Sequence, residues 1–270
     1  MAPTTSFNGP LSITHVGTAT AIIHVDGVNF LTDPVFAAAG SEWDLGFITL
    51  KVSAPPALTP SQLPPIDAVL LSHEDHVDNL DELGRLLLDG RKVLTTVDGA
   101  NKLAPRPGVQ ALKPWETISI PLGPHEFSIT GTPCVHLPGG EVTGFVVTTP
   151  SFGVHAASGL PNAIYFSGDT IYLPELGPKI RERFHVAVAL LNIGKATAPL
   201  PDGPMQITLD GAQASHLLRD LGADLLVPMH FESWGHFYEK REELAAAFEK
   251  EGIQDKVLWL EPGVKTEISA

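Results

Sequence analysis

The stretch IDAVLLSHEDHVDNLDELGRLLLDG (residues 66–90) changes its grammar twice. Its first seven residues are a continuous apolar run of strand length, the mark of a strand covered on both faces. NLDELGRLLLDG then places Leu80, Leu83, Leu86 and Leu87 at helical spacing, with Gly90 as a stop. Between strand and helix lie His73, His76 and Asp78, flanked by Asp75 and Asn79. In a tight loop entering a helix, imidazoles three residues apart can converge on a metal ion while Asp78 reaches a neighbouring one. The same residues also read as a plain helix start, in which Asp75, Asp78 and Asn79 cap and the histidines are polar neighbours. On this stretch alone both readings stand.

The rest of the chain repeats the pattern. LSITHVG, ATAIIHVDG and VNFLTDPVF read as three strands separated by glycine-bearing turns. Residues 40–65, rich in Pro, Gly and Ser, read as an irregular loop. RKVLTT is a further buried strand, followed by TISIPLG, HEFSITGTPCVH and TGFVVTTP as antiparallel strands. AIYFSGDT, HVAVALLNIG and ADLLVPMH are buried strands, with the helix LDGAQASHLLRDLG before the last of them. EKREELAAAFEKEG is an amphipathic helix, and KVLWLEPG is expected to be the final strand. Strands followed by alternating strand and helix, twice over, predict an α/β fold of two face-to-face sheets with helices outside, in one domain over 1–270.

Ligand-type residues recur where buried strands end: His73 after AVLLS, His136 after GTPCV, Asp169 after IYFSG and His230 after LLVPM. Open sheets place their sites in loops beyond the strand ends, so four such hits weigh more than four scattered residues. Imidazole nitrogen and carboxylate oxygen suit zinc, manganese or iron, and Asp can bridge two ions. These hits shift the reading of residues 73–79 toward a metal loop.

Composition narrows the partners. The 270-residue chain carries 17 Lys and Arg against 31 Asp and Glu, a formal charge of −14, and has no basic cluster. A nucleic-acid backbone binder needs a positive stripe, so no nucleic-acid partner is expected. No run approaches the roughly 18–20 apolar residues of a membrane span, and MAPTTSFNGPLSITHV lacks a signal-peptide pattern. A cytoplasmic protein with a small-molecule substrate and no membrane partner is the expectation. A single cysteine, Cys134, leaves no internal disulfide or cysteine-based metal site.

These motifs resemble the metallo-β-lactamase superfold, in particular its hydrolase branch related to ascorbate-phosphate lactonase and N-acyl phosphatidylethanolamine phospholipase D. ITHVGTATAII resembles that branch's first hairpin, LTDPVF its Asp-Pro turn, and IDAVLLSHEDHVDNLD its strand and metal loop. TPCVH, SGDT and PMHFESWGHF follow in the same order, so the resemblance runs from about residue 11 to 262. It implies a four-layer αββα sandwich. The usual loop is His-x-His-x-Asp-His; here it has one extra residue and ends in Asn79. Matched from the helix side, the resemblance implies a first ion on His73, His76 and His136. A second would sit on Asp78, Asp169 and His230, with Asn79 a weak ligand at best and Asp169 a bridge. A rival match assigns Asp75 and His76 to the second ion and leaves the first short. Whether one ion or two bind stays open at this point.

The implied activity is metal-dependent hydrolysis of a small ester or lactone by metal-activated water, with zinc foremost and manganese or iron as alternatives. Asp78 is the candidate to orient that water and take its proton. His236, in ESWGHF, faces the cleft as a proton-transfer or positioning group, or is a surface histidine. Phosphodiester hydrolysis, an iron-dependent oxidoreductase and a non-catalytic metal-binding scaffold are the alternatives. Asp33 reads as a turn cap that the family places near the metal floor, Cys134 as a buried filler, and His15 and His24 as structural. Thr18 stands where relatives carry the His of GHAT. Trp43, Phe47, Trp234 and Phe237 form either an apolar substrate wall or core. His125, His155, His185 and His216 join no constellation.

Overall fold

A computed structural model describes residues 4–46 and 48–268. The first half runs β1 (Leu11–Gly17), β2 (Thr20–Val25), β3 (Val28–Thr32), β4 (Glu42–Asp44), β5 (Thr49–Lys51), β6 (Ala68–Leu70), α1 (Glu82–Leu87), β7 (Lys92–Thr95), α2 (Val97–Leu103) and β8 (Val109–Ala111). The second runs β9 (Thr117–Leu122), β10 (His125–Pro133), β11 (Thr143–Thr148), β12 (Asn162–Phe166), α3 (Leu176–Arg181), β13 (His185–Asn192), β14 (Thr197–Leu200), β15 (Gly203–Gln206), α4 (Gly211–Leu221), β16 (Leu225–Met229), α5 (Arg241–Lys250) and β17 (Lys265–Ile268).

The strands form a seven-stranded sheet, β17-β1-β2-β3-β6-β7-β8, and a six-stranded one, β16-β13-β12-β11-β10-β9. Period-two alternation divides their side chains between two faces. Ala68 and Leu70 of β6 enter the core between the sheets with Ala21 and Ile23 of β2 and Phe127 and Ile129 of β10. Val69 and Ile22 face outward, where Leu80, Leu88 and Leu103 cover them. On the other side Leu226 and Leu191 face outward under Leu217, Leu221 and Leu244 of α4 and α5. This is the expected αββα sandwich.

Three local expectations are corrected. The final strand is not KVLWLEPG, which contributes only a single bridge from Val257 to Leu226; the chain continues to β17, which pairs with β1. The loop 40–65 contains a ribbon, β4 pairing with β5. In α1, Leu83 and Leu86 are 45% and 66% exposed, because the helix packs by its backbone: a Cβ on Gly84 would sit 1.8 Å from the Pro34 carbonyl oxygen. Helices α2 (VDGANKL) and α3 (LGPKIR) carry too few apolar residues to mark an apolar period in sequence.

Parallel pairing sets the position of the site. β3, β6 and β7 run parallel in one sheet, and β12, β13 and β16 in the other. The loops after β6, β12 and β16 therefore emerge at carboxyl ends, where open sheets form crevices.

Candidate metal centre

His73, His76 and His136 meet beyond the ends of β6 and β10, with one ligand atom from each within 4.8 Å of the others. His76 Nδ1 lies 3.0 Å from His73 Nε2 and 3.2 Å from His136 Nε2. Both outer rings are committed on their far side. Asp33 Oδ2 accepts from Ser72 Oγ at 2.6 Å; with that proton committed, His73 Nδ1 donates to Ser72 Oγ at 2.8 Å. His136 Nδ1 donates to the Ile207 carbonyl at 2.7 Å. Each therefore turns an Nε2 lone pair inward, and His76 Nδ1 can supply at most one hydrogen between them. At least one pair of lone pairs is left face to face. A cation relieves that conflict, and the spacing suits one: bonds of about 2.0–2.1 Å in a tetrahedron put nitrogens roughly 3.3 Å apart. Burial first, then the neighbouring imidazoles, hold His73 well below the usual histidine pKa; burial also lowers His136. Both are kept neutral, the form in which an imidazole nitrogen could bind a metal.

A second, more acidic half adjoins this cluster. His230 is buried, with Asp169 Oδ1 3.6 Å from its Nδ1 and Asp78 Oδ2 3.5 Å from its Nε2. Neither ring nitrogen makes a hydrogen bond. His236 Nε2 lies 3.1 Å from the same Asp78 oxygen. Burial opposes charge on Asp78, but His230 and His236 outweigh it and hold the carboxyl well below its ordinary range. Burial likewise opposes charge on His230, and Asp169 and Asp78 reverse that to raise it. Asn192 Nδ2 anchors Asp169 Oδ1 at 2.7 Å. The two acidic contacts use opposite nitrogens of His230, so this half is looser than the three-histidine cluster. Five of the ten buried polar side-chain atoms without a partner among the described residues belong to Asn79, Asn192, His230 and His236. Such clustering is what ligand atoms and their neighbours show around a cation.

Local backbone explains the placement. His230 has φ of 62°, a sparsely populated value; its N–H is held by the Thr18 carbonyl at 2.9 Å, so Thr18 contributes through its backbone, whatever its side chain. Gly194 allows this turn, since a Cβ there would lie 2.9 Å from Phe231 Cα. Gly168, at φ 58°, leads into Asp169 in the same way, with the Thr143 carbonyl 2.7 Å from where its Cβ would be.

The geometry groups His76 with His73 and His136, leaving Asp75 exposed at the rim. Asn79 Nδ2 turns to Asp33 Oδ2 at 3.1 Å. Asp33, pushed up to about 7 mainly by burial, is a brace under Ser72 and Asn79 rather than a simple turn cap. The extra loop residue finds its place too: Glu74 points away from the cluster, where Arg85 at 2.9 Å and Lys102 at 3.1 Å pair with its buried carboxylate. Sequence reasoning missed Ser72, Asn192 and this clamp. Asn192 ends the buried strand β13, the same position that singled out the other four residues. Trp234 and Phe237 are core, with Trp43 stacked on Trp234 at 5.3 Å; Phe47 lies outside the described residues. Cys134 is half-buried and burial pushes its thiol up.

Beside the cluster a chamber of about 80 Å³, walled by Leu50, Val77, Leu137, Ala196, Ala198 and Ile207, reaches His76, Asp78, His136, Asp169, His230 and His236. It shares Leu45, Asp75 and Leu137 with a vestibule of about 580 Å³. No described residue lining either space is Lys or Arg.

Comparison with known proteins agrees with this architecture. Residues 28–231 match the family model described as a β-lactamase superfamily domain. The chain belongs to the β-lactamase superfamily. A yeast protein, the mitochondrial N-acyl-phosphatidylethanolamine-hydrolyzing phospholipase D of Saccharomyces cerevisiae, is 27% identical over 96% of this chain and 56% of its own length. A UPF0173 metal-dependent hydrolase from Methanopyrus kandleri is 25% identical over 95% of this chain and all of its own. The chain spans 65% of the length of the mycobacterial relatives it matches. Among solved structures, an isothiocyanate hydrolase from Delia radicum gut bacteria superposes with a TM-score of 0.77 at 24% identity, covering 96% of this chain and 100% of that one. No helix among the described residues is long and apolar enough to cross a membrane.

Proposed function

We propose that this superfamily member is a metal-dependent hydrolase of small, uncharged esters or lactones, zinc being the foremost metal and His73, His76 and His136 its principal ligands. The observation that carries the reading is the apolar-walled chamber opening directly onto the three-histidine cluster: its only charged lining residues among those described are acidic, with no Lys or Arg to receive an anionic group. A bound divalent ion supplies acidified water near neutral pH and offsets developing negative charge. The chain's own residues do the rest. Asp78, held ionised by His230 and His236, accepts a hydrogen bond from the attacking water, aims it, and receives its proton at Oδ2. His236 Nε2, against that oxygen, returns the proton to the leaving oxygen. Asp169 is held by Asn192 as a further oxygen ligand, with His230 beside it. The apolar walls exclude bulk water, so hydrogen bonds at the site act in a low dielectric.

Phosphodiester hydrolysis is the second reading, favoured by the name of the yeast relative. It lacks a cationic side chain to receive the phosphate within either space. The test is a panel of lactones, nitrophenyl esters and bis-p-nitrophenyl phosphate with purified zinc-loaded protein. His136→Ala and His230→Ala each abolish hydrolysis while circular dichroism stays unchanged. Full activity of His136→Ala refutes the ligand assignment, full activity of His230→Ala refutes the role of the acidic half, and phosphodiester turnover alone transfers the conclusion to the second reading.

A further inference from the structure

Two ribbons outside the main sheets build the chamber. β4–β5 brings Leu50, and β14–β15 brings Ala196, Ala198 and Ile207 from the other side. Both are tied down at their bases. Ile207 N donates to the Ala196 carbonyl at 2.9 Å, and Val52 bridges to Trp234. Leu50, Ala196, Ala198 and Ile207 pack in one apolar cluster with the buried Trp234 and Phe237, so the walls are backed by core rather than by solvent. The chamber therefore has a set depth, and two of its wall positions are alanines, where any larger side chain would occupy the space.

We propose that this chamber measures one apolar arm of the substrate. An apolar cavity of roughly 150 Å³ holds benzene, so about 80 Å³ takes an unbranched arm of roughly three to four carbons. The remainder of the substrate lies in the vestibule, where Asp75 at the rim disfavours a carboxylate or phosphate. The substrate class is then a short-chain acyl ester or short-alkyl lactone with no negative charge. This deepens the hydrolase reading and rests on it for the kinetic arm of the test alone.

The experiment uses zinc-loaded protein and p-nitrophenyl esters from acetate to octanoate. Specificity, as kcat/KM, rises about fourfold per methylene buried up to butanoate and falls at least tenfold by octanoate. Ala198→Leu fills the chamber, moves the optimum to acetate and lowers kcat/KM for butanoate about fifteenfold, the loss of two such methylenes. Leu50→Ala moves the optimum to a longer chain. In parallel, calorimetry measures binding of straight-chain hydroxamic acids of the same lengths, whose metal-chelating head needs no turnover. Their affinity peaks at four carbons and shortens with Ala198→Leu. A profile flat or rising through eight carbons in either series, or one unmoved by Ala198→Leu, overturns the gauge. Hydroxamate binding with the predicted peak but no ester or lactone hydrolysis supports the gauge and refutes the hydrolase reading instead.

Discussion

Replacing Glu74 by Gln keeps the shape of the residue between the two loop histidines and removes its charge. The carboxylate is 8% exposed and pairs with Arg85 at 2.9 Å and Lys102 at 3.1 Å, themselves 29% and 46% exposed. Arg85 also donates to the Glu74 carbonyl at 2.6 Å, so the clamp grips side chain and backbone of the loop together. A hydrogen bond to a charged group contributes about 1.5–3 kcal/mol against about 1 for a neutral one, and half-exposed Lys102 adds about 0.5 kcal/mol. The glutamine retains a neutral contact with Arg85, so the net loss is about 1–2 kcal/mol. If the clamp holds His73 and His76 in their converging arrangement, that loss appears in metal binding. At about 1.4 kcal/mol per decade the zinc dissociation constant rises about tenfold, within the range of outer-shell substitutions. Competition against a chromophoric chelator measures it, with urea unfolding of the metal-free protein alongside. A dissociation constant within twofold of wild type, together with the expected fall in stability, would refute the positioning role and leave Glu74 a structural ion pair.

Other outcomes follow from the same geometry. Gly84→Ala should cost about 3 kcal/mol or more in urea unfolding, since its Cβ would meet the Pro34 carbonyl at 1.8 Å; near-native stability would contradict the backbone packing of α1. In metal-free protein, NMR titration of the ring protons should find His73 and His136 titrating below 6.5 and His230 above it. The linkage signs are opposite. His73 and His136 weaken the fold as pH falls below 6.5, where the unfolded chain takes up protons they do not. His230 adds stability below 6.5 that is lost as pH rises through its raised pKa. A His73 that titrates at 6.5 or above contradicts its burial among imidazoles.

The sandwich was legible because buried strands such as AVLL and LLVPM are apolar throughout, and His73, Asp169 and His230 stand directly after such runs. Periodicity fails where backbone, not side chain, makes the contact: Leu83 and Leu86 suggested a buried face that Gly84 supplies instead. KVLWLEPG has strand composition, yet the free edge of β1 is taken by β17. That His73, His76 and His136 come together was legible, but the place of the extra residue was not. Glu74 turns outward because Arg85 and Lys102, from α1 and α2, wait for it, and a partner that far along the chain leaves no local signal. The chamber was hidden for the same reason, since Leu50 and Ala198 meet only through two ribbons, one within the stretch 40–65 that read as loop and one, β14–β15, that drew no strand expectation.

The central claim, that His73, His76 and His136 hold a divalent ion, is tested most directly by anomalous diffraction at the zinc edge from crystals of protein saturated with zinc. The account predicts a peak about 2.0–2.1 Å from Nε2 of His73, Nδ1 of His76 and Nε2 of His136. Zinc-saturated crystals with no peak among these three imidazoles, or with zinc bound only elsewhere, would contradict it.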